Sequence, residues 1–223
     1  ADDEFNERER VTLRERIAAK QAQTAADRGD FPKALSIANA LADERALAYL
    51  CETLSNRDRA EDALNLLEKI RDYPTFAFVL ITCGMGLLRS GRLEEAIKVG
   101  RRYRSEGGDG LLCRVAEKLA EQGKLEEGKQ IAKEALDGLG AGKKDQVNAM
   151  LWQLSILAKG GEFEEALEIA ERVRELGEDD YDYYFGLTVL CETLARVGRP
   201  DDALALVSNI ADEGKVMEAL VEI

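Results

Sequence analysis

Histidine is absent from all 223 residues. That removes Ser-His and Cys-His nucleophile pairs and every histidine-bearing metal site. Proline is scarce, at three residues, and very few segments alternate apolar and polar residues with β-branched ones as strands do, so the composition favours helix. The four cysteines, Cys51, Cys83, Cys113 and Cys191, contain no C-x-x-C pair and each sits in an apolar helical stretch. They read as buried reduced thiols in a reducing, cytoplasmic compartment. The longest uncharged apolar run, residues 76–88, is short of the ~20 residues that span a bilayer, and no secretory signal is visible; the expectation is a soluble protein with no membrane role. Basic charge is also short. Against 44 acidic residues there are 31 Lys and Arg, a net charge of −13. This opposes nucleic-acid binding, which relies on phosphate neutralisation by Lys and Arg.

What is present is a repeated phrase. A glycine, one or two variable residues, two acids and then Ala-Leu or Ala-Ile recur in Gly91-Arg92-Leu93-Glu94-Glu95-Ala96-Ile97, in Gly161-Glu162-Phe163-Glu164-Glu165-Ala166-Leu167 and in Gly198-Arg199-Pro200-Asp201-Asp202-Ala203-Leu204. Weaker copies begin at Gly29, at Asp58 and at Gly123, where Gly128 stands in place of the alanine. The mean spacing of the starts is about 34 residues, the period of helical hairpins of the tetratricopeptide kind. Cys51-Glu52-Thr53-Leu54 and Cys191-Glu192-Thr193-Leu194 each lie seven residues before a start.

Each part of the phrase has a mechanical reason. Glycine takes the left-handed conformation that ends the first helix of a hairpin. The paired acids fall in the first turn of the second helix, where the helix dipole favours negative charge. The alanine is small, so the two helices can approach closely. The matching small position on the first helix lies seven residues before the start, at Ala22, Cys51, Gly84, Ala116 and Cys191, with Leu154 as the exception. This register predicts first helices near 15–28, 43–56, 75–90, 109–122, 145–160 and 182–197, and second helices near 30–41, 59–71, 92–104, 124–137, 162–176 and 199–210. A last helix from about 212 opens an incomplete unit. Residues 1–14 are highly charged and are expected either to extend the first helix as a polar cap over the terminal hydrophobic face or to be disordered in their first few residues. Gly138, Gly140 and Gly142 form a lengthened, mobile loop.

On these residues the chain resembles the tetratricopeptide repeat family over roughly residues 15–223, in a divergent form. Where that family places a large aromatic in the second helix, this chain has Ala38, Leu67, Gly100, Ala132, Ala170 and Val207. The resemblance implies an all-α fold: a single domain over 1–223, built as a right-handed α-solenoid of about six helix-turn-helix repeats plus a terminal helix. It implies a concave groove lined by the first helices, with residues one place after the small position facing a ligand: Gln23, Glu52, Met85, Glu117, Ser155 and Glu192. Further candidates in the same register are Arg45, Phe78, Arg114, Asn148, Trp152, Lys159, Phe185 and Arg196. Three acids in the first set suit a protein or peptide partner that is basic.

No catalytic arrangement emerges. The acid pairs recur at one structural position, which marks them as helix caps. Gly142-Lys143-Lys144 lacks both the glycine five residues earlier and the Ser or Thr of a phosphate loop, and no glycine set has dinucleotide spacing. No cofactor and no metal are expected. The function expected is a non-enzymatic interaction scaffold. The alternatives are a regulatory repeat module cut from a larger protein, or an engineered repeat protein without a natural ligand.

Overall fold

The structure, a computed structural model, describes residues 2–41, 43–137, 142–176 and 181–208, with side chains from residue 13 onward. The expected last helix from 212, and Gly138 and Gly140 of the lengthened loop, lie outside the described residues. Among the described residues there are twelve α-helices and no strand. They are α1 (Asp2–Asp27), α2 (Phe31–Ala38), α3 (Glu44–Ser55), α4 (Ala60–Leu67), α5 (Tyr73–Arg89), α6 (Leu93–Arg102), α7 (Gly108–Glu121), α8 (Leu125–Leu136), α9 (Lys143–Gly160), α10 (Phe163–Leu176), α11 (Tyr181–Arg196) and α12 (Pro200–Ser208). A 3₁₀ turn, Arg104–Glu106, separates α6 from α7. The charged N-terminal stretch belongs to α1, which starts at Asp2.

The turn chemistry is uniform. Gly29, Gly91, Gly123, Gly161 and Gly198 have φ between +74° and +89°, and Asp58, which stands at the remaining start, has φ +58°. All six predicted starts are therefore left-handed. A Cβ on any of the five glycines would meet nothing within 4 Å; glycine is there for its backbone freedom alone, since an L-residue in this conformation costs about 1–2 kcal/mol.

Behind five of the six turns the second helix opens on acids: Glu61 and Asp62 in α4, Glu94 and Glu95 in α6, Glu126 and Glu127 in α8, Glu164 and Glu165 in α10, Asp201 and Asp202 in α12; α2 has none there. The basic residue just before four of these helices closes an ion pair three residues on: Arg59 with Asp62, Arg92 with Glu95, Lys124 with Glu127, Arg199 with Asp202. Arg59 also lies over the ring of Phe31 (4.8 Å to its centroid), and Arg199 over that of Phe163 (4.9 Å). In both cases the arginine of one repeat covers the aromatic that opens the preceding second helix.

The chain divides into two compact units, residues 1–112 and 113–223. In the first, α1 packs on α2, α3 on α4 and α5 on α6, while α1 meets α3 and α3 meets α5, so successive hairpins stack in chain order. Its core runs through Ala22, Ala26, Ala34, Leu47, Leu50, Cys51, Leu54, Ala63, Leu67, Leu80 and Cys83. In the second, α9 packs on α10 and α11 on α12, and α9 meets α11, around Leu154, Ala158, Ala166, Ala170, Leu187, Leu190, Cys191, Leu194 and Ala203.

The small-against-small crossing takes the same form in both units. The Cys51 thiol donates to the Ala63 carbonyl (3.4 Å) and the Cys191 thiol to the Ala203 carbonyl (3.7 Å). Gly128 fits the same logic: an added Cβ would lie 2.7 Å from the Ala116 carbonyl oxygen, so α8 sits too close to α7 for the alanine used elsewhere.

All four cysteines are buried and none forms a disulfide. Burial pushes Cys83 and Cys191 up to about 11 and Cys51 higher still. We expect a maleimide at about pH 8 to leave Cys51, Cys83 and Cys191 unlabelled in the native protein and to label them in denaturant; rapid native labelling would show the thiols to be reactive rather than packing groups. The sign of the linkage follows. Above the ordinary thiol value of 9.0 the unfolded chain ionises while the folded thiols stay protonated, so their contribution to stability is lost as pH rises from 9 toward 11.

Candidate binding site

Within the second unit, α9, α11 and residues 113–121 of α7 form one wall. The spacing along each is helical. Asn148, Trp152, Ser155 and Lys159 sit at i, i+4, i+7 and i+11 on α9, and Phe185, Val189, Glu192 and Arg196 repeat that spacing on α11, which places each set on one face. Arg114 and Glu117 continue the pattern on α7. These ten residues, with Leu151 and Thr193, line a cavity of about 410 Å³, within the size range of ligand sites.

The floor of the cavity is polar. Glu117 is 4% exposed, Thr193 5% and Ser155 8%, and among the described residues the one other buried polar side chain is Ser55. Burying polar groups costs free energy unless they are paired, and here they are. Ser155 Oγ donates to Glu117 Oε1, while Glu117 Oε2 accepts from Arg114 (2.9 Å) and pairs with Lys159 (3.2 Å). Lys159 also reaches Glu121 (3.6 Å), and Glu121 accepts from Lys118 (3.0 Å). Burial works to raise the Glu121 carboxyl, but the hydrogen bonds and charge of Lys118 and Lys159 outweigh it and hold the group below the usual carboxylate range. Thr193 donates to the Val189 carbonyl within its own helix (2.8 Å).

The rim is aromatic and cationic. The Arg114 guanidinium lies over the Trp152 ring, 4.9 Å from its centroid, which holds both flat groups in place. Phe185 is half exposed. Arg196 stands at the edge, 4.0 Å from Glu192.

Of the residues picked out by register, Arg114, Glu117, Asn148, Trp152, Ser155, Lys159, Phe185, Glu192 and Arg196 all come together here. Glu117 does so differently from the expectation, because its carboxylate faces inward and is shared among a serine and two cations. Leu151, Val189 and Thr193 were not picked out. Val189 occupies the register of Arg114 and Trp152 and could have been found by carrying that register one repeat further.

The other candidates lie in the first unit, on α3 and α5. There Arg45 and Phe78 are exposed and Glu52 and Met85 half-buried; Gln23, on α1, is half-buried too. Tyr49, 52% exposed, shares their face, and Arg89 donates to Asn56 (2.8 Å) across the two helices. Among the described residues no group of three or more His, Cys, Asp or Glu could hold a metal ion, and no helix is long and apolar enough to cross a membrane.

Residues 185–208, which span most of α11 and all of α12, match the tetratricopeptide repeat family. No curated protein matches the chain. Among solved structures it is similar to the tetratricopeptide domain of P58(IPK), at 15% identity over 100% of this chain and 68% of that one, with a TM-score of 0.34. It is also similar to the DHF58 filament, at 21% identity over 96% of this chain and 90% of that one, with a TM-score of 0.21. The described residues form an all-α helical-hairpin repeat protein, of which residues 185–208 match the tetratricopeptide repeat. Repeats of this class generally mediate protein–protein interaction.

Proposed function

We propose that this protein is a non-catalytic interaction scaffold that holds a segment of a partner protein against the α7–α9–α11 wall. One observation carries the reading: three of the four buried polar side chains among the described residues converge on a single cavity whose rim offers an aromatic ring and an arginine stacked on it. Paired as they are, these groups fix the wall in one arrangement, and Trp and Arg are the side chains that most often dominate interfaces.

The basic partner suggested by Glu52, Glu117 and Glu192 loses one of its three supports, because Glu117 is already neutralised by Lys159 and Arg114. The test is a displayed library of random peptides panned on the full chain. Peptides so recovered should bind the Trp152→Ala variant at least about tenfold more weakly, with unchanged circular dichroism. Undiminished binding to that variant would sink the proposal.

A further inference from the structure

We propose that the segment held on this wall is acidic: separate Asp or Glu side chains meet Arg114 and Arg196, and an apolar neighbour in the same segment lies on Trp152 and Phe185. This rests on the wall being a peptide site. The chain as a whole carries −13, yet the lining of this cavity holds three cations, Arg114, Lys159 and Arg196, against two acids, Glu117 and Glu192. Local charge therefore opposes the global sign.

Hydrogen-bonding capacity points the same way. Both oxygens of Glu117 are occupied, one by Ser155 and the other by Arg114 and Lys159, so the buried acid has little left to offer a ligand cation. A guanidinium has five N–H donors. Arg114 spends one on Glu117, and among the described residues Arg196 meets only Glu192, at 4.0 Å. Trp152 adds an indole N–H donor, and Asn148 an amide that can donate through its NH2 and accept through its Oδ1. Donors on this wall outnumber its free acceptors, which are the Asn148 Oδ1 and the rim carboxylate of Glu192, so it fits a ligand that brings acceptors and negative charge. Beside those donors, Leu151, Val189 and the rings of Trp152 and Phe185 supply apolar surface for an adjacent side chain.

The same panned library tests it, with each recovered peptide resynthesised with a blocked C-terminus so that only side-chain carboxylates remain. The expected pool has more Asp and Glu than Lys and Arg, and its members bind the Arg196→Glu variant about tenfold more weakly, because that change places a like charge against the ligand. Arg196 is exposed and outside the buried network, so this variant keeps the fold. A neutral or basic pool that still depends on Trp152 overturns the acidic assignment and leaves the scaffold reading standing. Loss of binding when the terminus is blocked overturns it in favour of a terminal carboxylate. Failure to recover any peptide, or binding indifferent to Trp152, overturns both.

Discussion

Replacing Glu117 by alanine is expected to destabilise the second unit by about 3 kcal/mol, because removing one partner of a buried ion pair strands the other. Glu117 has 5% of its side chain exposed and Lys159 17%, so screening by water is slight for that pair. The Arg114 contact, on a side chain 45% exposed, adds little. Once the carboxylate is gone, the Lys159 ammonium and the Ser155 hydroxyl face a void, and Glu121, further out, is the one acid still within reach of the lysine. Trp152 is the chain's one tryptophan and lines the same cavity, so its fluorescence during urea unfolding reports on this unit. A paired substitution, Glu117→Leu with Lys159→Met, should recover most of the loss, since apolar pairs of similar volume commonly replace buried ion pairs at little cost. A single variant that loses under about 1 kcal/mol would mean that the network is solvated and weak.

The second large effect belongs to the first unit. Gly108→Ala should cost about 3 kcal/mol. A Cβ there would stand 2.1 Å from the Gly100 carbonyl oxygen and 2.6 Å from that of Tyr103. Both obstacles are backbone, and the Tyr103 carbonyl already accepts the Gly108 N–H at 2.8 Å, so relief requires moving the start of α7 off the end of α6. Gly110→Ala is the control. Its nearest neighbour would be the side chain of Ile81 at 3.4 Å, an ordinary contact, and alanine gains about 1 kcal/mol of helix propensity over glycine. Urea unfolding followed by circular dichroism should show Gly110→Ala at or above the wild-type midpoint and Gly108→Ala far below it. Equal midpoints would contradict the close approach of α6 and α7.

The glycine pair separates what is local from what is not. Gly29, Gly91, Gly123, Gly161 and Gly198 could be recognised from one chain because their role is a backbone conformation set within a few residues, and the acids and alanine that follow are spaced by the helix itself. Asp58 was recognised by register, although its residue type argues weakly for a left-handed turn. Gly108 and Gly100 carried no such signal. Their need arises from how closely α6 and α7 pass, which no short window contains. Gly128 departs from the alanine of the repeat because the Ala116 carbonyl lies beneath it.

The same division holds for the binding wall. A period of about 34 residues and a small residue at each crossing were enough to assign Arg114, Trp152, Ser155, Phe185 and Arg196 to one face, because helical spacing carries a face along a chain. Tyr49, on the matching face of the first unit, was left out although the register of Trp152 leads to it. Register says which way a residue points, whereas its burial and charge state depend on what comes to meet it. Glu117 and Glu192 share a register, yet one is enclosed and neutralised while the other lies at the rim, because Ser155 and Lys159, some forty residues downstream, close over the first. Helix, turn and face follow from interactions within about one turn of chain; the sign of charge a ligand would meet follows from side chains that become neighbours only when α7 and α9 pack.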